Sequence, residues 1–272
     1  MKNFITGHMI VKNEQKWIWF AIQSVIDYLD ELLIYDTGST DKTVEIIKSI
    51  KSPKIKFSQK GEVDRKRLVE LRKLQLKETK SSWFFLIDGD EIWPEKNLQK
   101  LISTLKTLPE NKKAVVVRTR NCVGDIYHYQ GELAGDYQIL GMRGHFNTRA
   151  FRNGQGLTIK GEYPLEFYCD SQGSLNNQDK KLYFLDTYYL HMTHMPRSSK
   201  REFEVKVMDR LKKIKIESGI KFKKDEPFPK VFDLARPGIV PDPFVKLSPA
   251  KLLAAQFITP IKNLRRIVKR II

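Results

Sequence analysis

The chain predicts an α/β fold with a mainly parallel central sheet flanked by helices, and three observations carry that reading. Short apolar runs alternate with amphipathic helical segments along the first third of the chain. Most of those runs end in a polar or acidic residue. With 272 residues, 41% of them hydrophobic, there is enough apolar material to fill one large core.

The elements follow in order. Residues 4–11 read as a buried strand, and Trp17, Ala21, Ile22 and Val25 then recur at the three- and four-residue spacing of one helix face. Residues 31–35 form a second strand, which runs into the turn Asp36-Thr37-Gly38-Ser39-Thr40-Asp41. Thr43, Ile46, Ile47 and Ile50 fall at i, i+3, i+4 and i+7, so a helix starts there, with Thr40 or Asp41 able to accept its first free amides. The pattern repeats with a strand at 54–58, a helix at 64–79 and a strand at 83–87. After Pro94 come a helix to about Leu108, a strand at 114–120 and looser Gly-rich and aromatic segments to about Tyr189. Residues 199–218 read as a charged helix, and the proline-rich stretch 225–249 as an extended linker over the surface.

Charge and cysteine content narrow the partners. Two cysteines, Cys122 and Cys169, are too few for a disulfide scaffold and lack zinc-ligand spacing, which points to a reducing cytoplasm. No secretory pattern opens the chain, and no apolar run reaches the roughly 20 residues of a membrane span. The net charge of +17 calls for an anionic partner. Residues 246–272 carry seven Lys/Arg and no acid, and residues 197–224 carry eleven Lys/Arg against four acids. Ile261, Leu264, Val268 and Ile271 form one helical stripe of the tail, and Lys262, Arg265, Arg266 and Lys269 another. This basic amphipathic helix is expected to lie on an anionic membrane surface and hold the protein at the inner face of the cell membrane. No nucleic-acid-binding motif accompanies the charge, so nucleic acid is not an expected partner.

In an open parallel sheet, ligands bind beyond the carboxyl ends of the strands. The first strand ends in Val11-Lys12-Asn13-Glu14, the second in Asp36 and the fourth in Asp88-Gly89-Asp90-Glu91. Three acids in four residues repel one another unless a cation neutralises them, and two acids one residue apart can hold a divalent ion. His191 and His194 follow an aromatic strand and are candidate further ligands of a metal or contacts of a diphosphate.

Over residues 4–95 these motifs resemble, in content and order, the family 2 glycosyltransferases of the GT-A fold. The carriers are Val11 to Glu14, the Asp-x-Gly-Ser-Thr-Asp-x-Thr signature at Asp36 to Thr43, Arg72, and the DxD inside an aromatic strand followed by Glu91. The resemblance implies an inverting transferase that moves a sugar from a nucleotide-sugar donor, a UDP-sugar, to a glycan or lipid-linked acceptor with Mn²⁺ or Mg²⁺. It implies a catalytic domain over 1–224, with a donor half at 1–95 and an acceptor half at 96–224, followed by the tail at 225–272. Val11, Asn13, Glu14, Asp36, Arg72, Asp88 and Gly89 are then expected at the nucleotide sugar. Asp36 would read the base, Asp88 the ribose or metal, and Asp90 the metal, with His191 and His194 as further metal candidates. The family's Ala-Arg-Asn reads Leu71-Arg72-Lys73 here. Family members also place a Gly-x-Val-His-Glu-like element after Phe-Arg-Asn, which makes Glu166, then Glu162, the candidate base, although the histidine is absent. Two alternatives compete: a nucleotidyltransferase, whose Gly-rich phosphate loop is missing between Met9 and Trp17, and a non-enzymatic polyanion-binding protein.

Overall fold

Consecutive residues at 83–87 alternate between two hydrophobic clusters, Trp83, Phe85 and Ile87 in one, Phe84 and Leu86 in the other. That period of two is the signature of a strand buried on both faces, which requires a helix or loop layer on each side of the sheet. The computed structural model describes residues 4–196, 215–245 and 248–271 and has this layering. Its helices are α1 (Ile18–Gln23), α2 (Thr43–Ser49), α3 (Arg65–Glu78), α4 (Glu95–Thr107) and α5 (Pro249–Ile271).

Strands β1 (Ile5–Val11), β2 (Glu31–Asp36), β3 (Ile55–Gln59) and β4 (Trp83–Leu86) pair in parallel, as the first-half pattern predicts. The remaining strands in chain order are β5 (Glu91–Ile92), β6 (Ala114–Asn121), β7 (His128–Tyr129), β8 (Tyr137–Ile139), β9 (Met142–Gly144) and β10 (Phe146–Arg152). They continue with β11 (Thr158–Lys160), β12 (Phe167–Asp170), β13 (Gly173–Ser174), β14 (Leu182–His191) and β15 (Ile220–Lys221). Eight of them form one sheet in the order β3-β2-β1-β4-β10-β6-β14-β5. The second half is mixed: β10 runs antiparallel to β4 and β6, while β14 runs parallel to β6 and antiparallel to β5. Because β2 lies on one side of β1 and β4 on the other, the strand order reverses between β1 and β4. That reversal opens a crevice at their carboxyl ends.

Two parts of the chain depart from the sequence reading. Stretch 225–245 is not a surface linker, because Val231, Phe232 and Val240 are buried in the main core and the Phe232 ring lies 5.3 Å from that of Phe20. Each such side chain contributes about 1.5–3 kcal/mol, and the intervening prolines only hold the backbone extended between them. The tail helix is longer than its stripe suggests, 23 residues with Pro260 inside it. Part of its basic set is bonded to the protein, while Lys251 and Arg265 stand exposed. Lys262 and Arg266 bond the buried Glu217 at 3.2 and 2.8 Å, and Lys269 reaches Asp136 at 3.4 Å. The charged helix expected at 199–218 lies outside the described residues except for 215–218, which are not helical.

Candidate active site

The crevice is built by hydrogen bonds that tie the ends of β1 and β2 together and by the turn after β4. After β1 the backbone turns at Asn13, whose φ is +55°. Asn13 Oδ1 accepts the Thr40 amide at 2.7 Å, and the Glu14 amide donates to Thr43 Oγ1 at 2.7 Å. The Asp36 carboxylate caps the same loop from beneath by accepting the amides of Gly38 and Ser39 at 3.1 and 3.2 Å. Asp41 accepts the Thr43 amide at 2.9 Å, the helix-starting contact that the cap motif predicts. Gly38 sits at φ +86°, where a Cβ would be strained and would stand 3.1 Å from the Glu62 amide nitrogen.

At the mouth of β4 the backbone crosses to the far edge of the sheet. His191 pairs with Glu91 between β14 and β5, and the Met192 amide donates to the Asp90 carbonyl at 2.9 Å. This pairing carries His191 Nε2 to 3.3 Å from Asp90 Oδ2, although the two residues are a hundred positions apart in sequence. Gly89 lets the turn pass close to the first strand's end, since a Cβ there would come within 3.1 Å of Glu14 Cγ. Burial alone would lower the His191 pKa, but the Asp90 carboxylate reverses that and raises it.

Asp88 is gripped from two sides. Arg72 of α3 reaches its Oδ1 at 3.4 Å, and Arg149 of β10 reaches Oδ2 at 3.5 Å. Burial opposes ionisation of Asp88, yet Arg149 and Arg72 outweigh it and hold the carboxyl below its ordinary range. The Arg149 guanidinium also bonds the fully buried Glu91, and its Nε donates to Tyr189 Oη at 3.0 Å. Burial pushes Glu91 up to about 7 against the pull of Arg149. The pairing of β10 with β6 slips between Thr148 and Ala150, so Arg149 is the extra residue of a β-bulge. Bulges of this kind re-aim a side chain.

These elements surround a cleft of about 410 Å³, within the size range of small-molecule sites. Of the sequence-derived candidates, Val11, Glu14, Arg72, Asp88, Gly89, Asp90, Glu166 and His191 line it. Asn13, Asp36, Glu162 and His194 do not: Asn13 and Asp36 bond the loop behind the cleft, and Glu162 is exposed. Arg149, Tyr168 and Asn176 line the cleft without having been singled out from sequence. Nothing local marked Arg149, which is one of several polar residues in the strand Phe-Asn-Thr-Arg-Ala-Phe-Arg. Among the described residues, Arg72 Nη1, Glu166 Oε2 and Tyr168 Oη on the wall are buried without a hydrogen-bond partner. Buried groups of this type are normally satisfied, so their clustering marks the place of a polar ligand. Among the described residues no three His, Cys, Asp or Glu side chains converge into a ready-made metal cage. Asp90 and His191 do face each other, which suits a cation that also takes substrate oxygens, as magnesium-type sites with nucleotide substrates do.

A polar cleft at the strand-order reversal of an open α/β sheet, lined by acids and by the guanidinium groups of Arg72 and Arg149, is where such folds bind their ligands. The family model for glycosyl transferase family 2 matches residues 8–163, more than half of the chain, and the chain belongs to that family. The SPbeta prophage-derived glycosyltransferase SunS of Bacillus subtilis is 32% identical over 108 residues, 38% of this chain and 24% of SunS. An uncharacterized glycosyltransferase of Rickettsia bellii is 36% identical over 87 residues, 32% of this chain and 28% of the relative. The matches thus span about a quarter of the length of these curated relatives. Among solved structures, S. aureus TarS 1–349 in complex with UDP-GlcNAc superposes with a TM-score of 0.50 at 15% identity, covering 74% of this chain and 60% of TarS. The likeness extends the GT-A architecture beyond the region that the family model covers.

Proposed function

We propose that the protein transfers a sugar from a UDP-linked donor to an acceptor hydroxyl with inversion at the anomeric carbon. The observation that carries this reading is the presence in one crevice of Arg72, Asp88, Asp90, His191 and Glu166, whose Oε2 is buried without a partner among the described residues. The UDP-GlcNAc named for the TarS complex supports the donor class. The nucleotide lies along Val11, Thr37 and Asp88, and the Arg72 guanidinium faces its diphosphate. Asp90 and His191 hold a divalent cation, Mn²⁺ or Mg²⁺, which when bound supplies positive charge beside the leaving group. Glu166 removes the proton from the acceptor hydroxyl as that oxygen attacks the anomeric carbon. The bond to the diphosphate breaks on the opposite face, and its electron pair leaves with the phosphate oxygen. Arg72, held at the cleft by Asp88, stabilises the charge that builds there.

The acceptor is a glycan or a lipid-linked sugar, and the enzyme works peripherally at the inner face of the membrane, in keeping with the charge of +17. No helix among the described residues is long and apolar enough to cross a membrane. Donor hydrolysis across a panel of nucleotide sugars, with Mn²⁺ or Mg²⁺, tests the reading. One UDP-sugar should be hydrolysed in a metal-dependent way, and Asp90→Ala should lose about a hundredfold or more with an unchanged circular dichroism spectrum. Full activity of that variant, or no turnover of any nucleotide sugar by the wild type, would overturn it.

A further inference from the structure

The helix α5 leaves an apolar face without a partner. Leu253, Phe257, Ile261, Leu264 and Val268 recur at three- and four-residue intervals and are between 47% and 70% exposed. The opposite face is the one bound to the protein. Ala255 is buried there, Thr259 Oγ1 accepts the Ser218 amide at 2.7 Å, and Lys262 and Arg266 close on Glu217. Arg270 donates to the carbonyls of Glu132 and Gly135 at 2.8 and 2.9 Å. A helix packed by hydrophobic burial would turn these faces the other way round, so the apolar stripe is kept outward at the expense of core packing.

Two occupants suit such a stripe, a second copy or a lipid bilayer, and charge decides between them. A second copy would bring another +17 against the first, and the tail from 246 onward holds no acid to offset it. An anionic bilayer offers hydrocarbon for the stripe and negative headgroups for Lys251 and Arg265, which stand exposed on the same helix. At about 1.5 Å per residue, the stripe from Leu253 to Val268 runs roughly 22 Å along such a surface.

Its far end also locates the cleft. Lys269 and Arg270 are tied to residues 132–136, and the next residue, Tyr137, is exposed and lines the cleft. We propose that the apolar face of α5 seats the enzyme on an anionic lipid bilayer with the Tyr137 side of the cleft turned toward it, so that the acceptor is a lipid-anchored one. The acceptor class rests on the glycosyl-transfer reading above; the bilayer contact does not.

The test uses the full chain and vesicles of phosphatidylcholine mixed with phosphatidylglycerol. The wild type should float with them, and the exposed-face double variant Phe257→Ser/Leu264→Ser should lose at least about tenfold in partitioning, with an unchanged thermal midpoint. A wild type that stays unbound, or a double variant that floats equally well, would overturn the proposal. So would sedimentation velocity in which the same substitutions dissolve a dimer. The four native tryptophans are all buried, so Phe257→Trp and Tyr137→Trp are clean reporters for quenching by bromine-labelled phosphatidylcholine. Both should be quenched. Quenching of Phe257→Trp alone would remove the lipid-anchored acceptor and leave the bilayer contact standing. UDP-sugar hydrolysis by Phe257→Ser/Leu264→Ser should match the wild type. Hydrolysis absent from both, with flotation intact, would count against glycosyl transfer and not against the membrane surface.

Discussion

The half of the molecule up to β4 and the half after it build the same cleft by different means. Up to β4, three of the four strands run directly into a residue that lines the crevice, so Val11, Thr37 and Asp88 reach it at the mouths of parallel neighbours. After β4, nothing so local operates. Arg149 arrives through a bulge in an antiparallel strand, and His191 through pairing of β14 with a two-residue strand. Glu166 comes from the loop leading into β12. The first half therefore lines the cleft by local chain order, while the second half brings Arg149, Glu166 and His191 to it from several directions. Tolerance to substitution should differ accordingly.

The sharpest way to break this comparison is at the base. Glu166→Gln should lower sugar transfer by about 10²- to 10⁴-fold while calorimetry still detects nucleotide binding, whereas Glu162→Gln, outside the cleft, should transfer normally. Equal effects of the two would show that the second half does not place its base as described. The next largest effect is expected at Arg149. Removing its guanidinium leaves Glu91 and Asp88 with a missing cation in a buried setting, so Arg149→Ala should cost about 3–5 kcal/mol in urea unfolding. The double variant Arg149→Met/Glu91→Gln should recover much of that stability but not the activity. If the double variant were fully active, Arg149 would be only a structural counter-ion.

A smaller effect sharpens the comparison at the edge of the second half. Burial opposes ionisation of Glu217, but Gln130 and Arg266 outweigh it, so its folded-state pKa lies below the ordinary glutamate value. A lowered folded pKa stabilises fully above the unfolded value of about 4.3 and loses that contribution as pH falls through the folded value. Glu217→Gln should therefore cost about 1–3 kcal/mol near neutral pH, and its deficit relative to the wild type should shrink as the solution is acidified below about pH 4. A deficit that did not change with pH would mean that the ion pairs with Lys262 and Arg266 do not hold α5.

Sequence by itself determined the first half almost completely. The continuous apolar run at 83–87 requires burial on both faces, and Asp41 accepts the amide that opens the next helix; both follow from neighbours along the chain. The order of acids at strand ends follows from the same local rules, which is why Asp88, Asp90 and Arg72 could be placed in a cleft from their motifs. What only the tertiary structure decided were relations between distant segments. Asn13 holds the loop across segments far apart in sequence through the amide of Thr40, and Asp36 braces it through the amide of Gly38. Arg149 is an unremarkable letter until a register slip turns it toward Glu91 and Asp88. The stripes of α5 were visible as a pattern, but which one faces the protein was set by a buried carboxylate at Glu217, far away in sequence. Amphipathicity states that a helix has two faces; only the charges and cavities of the surface it meets determine which face is bound.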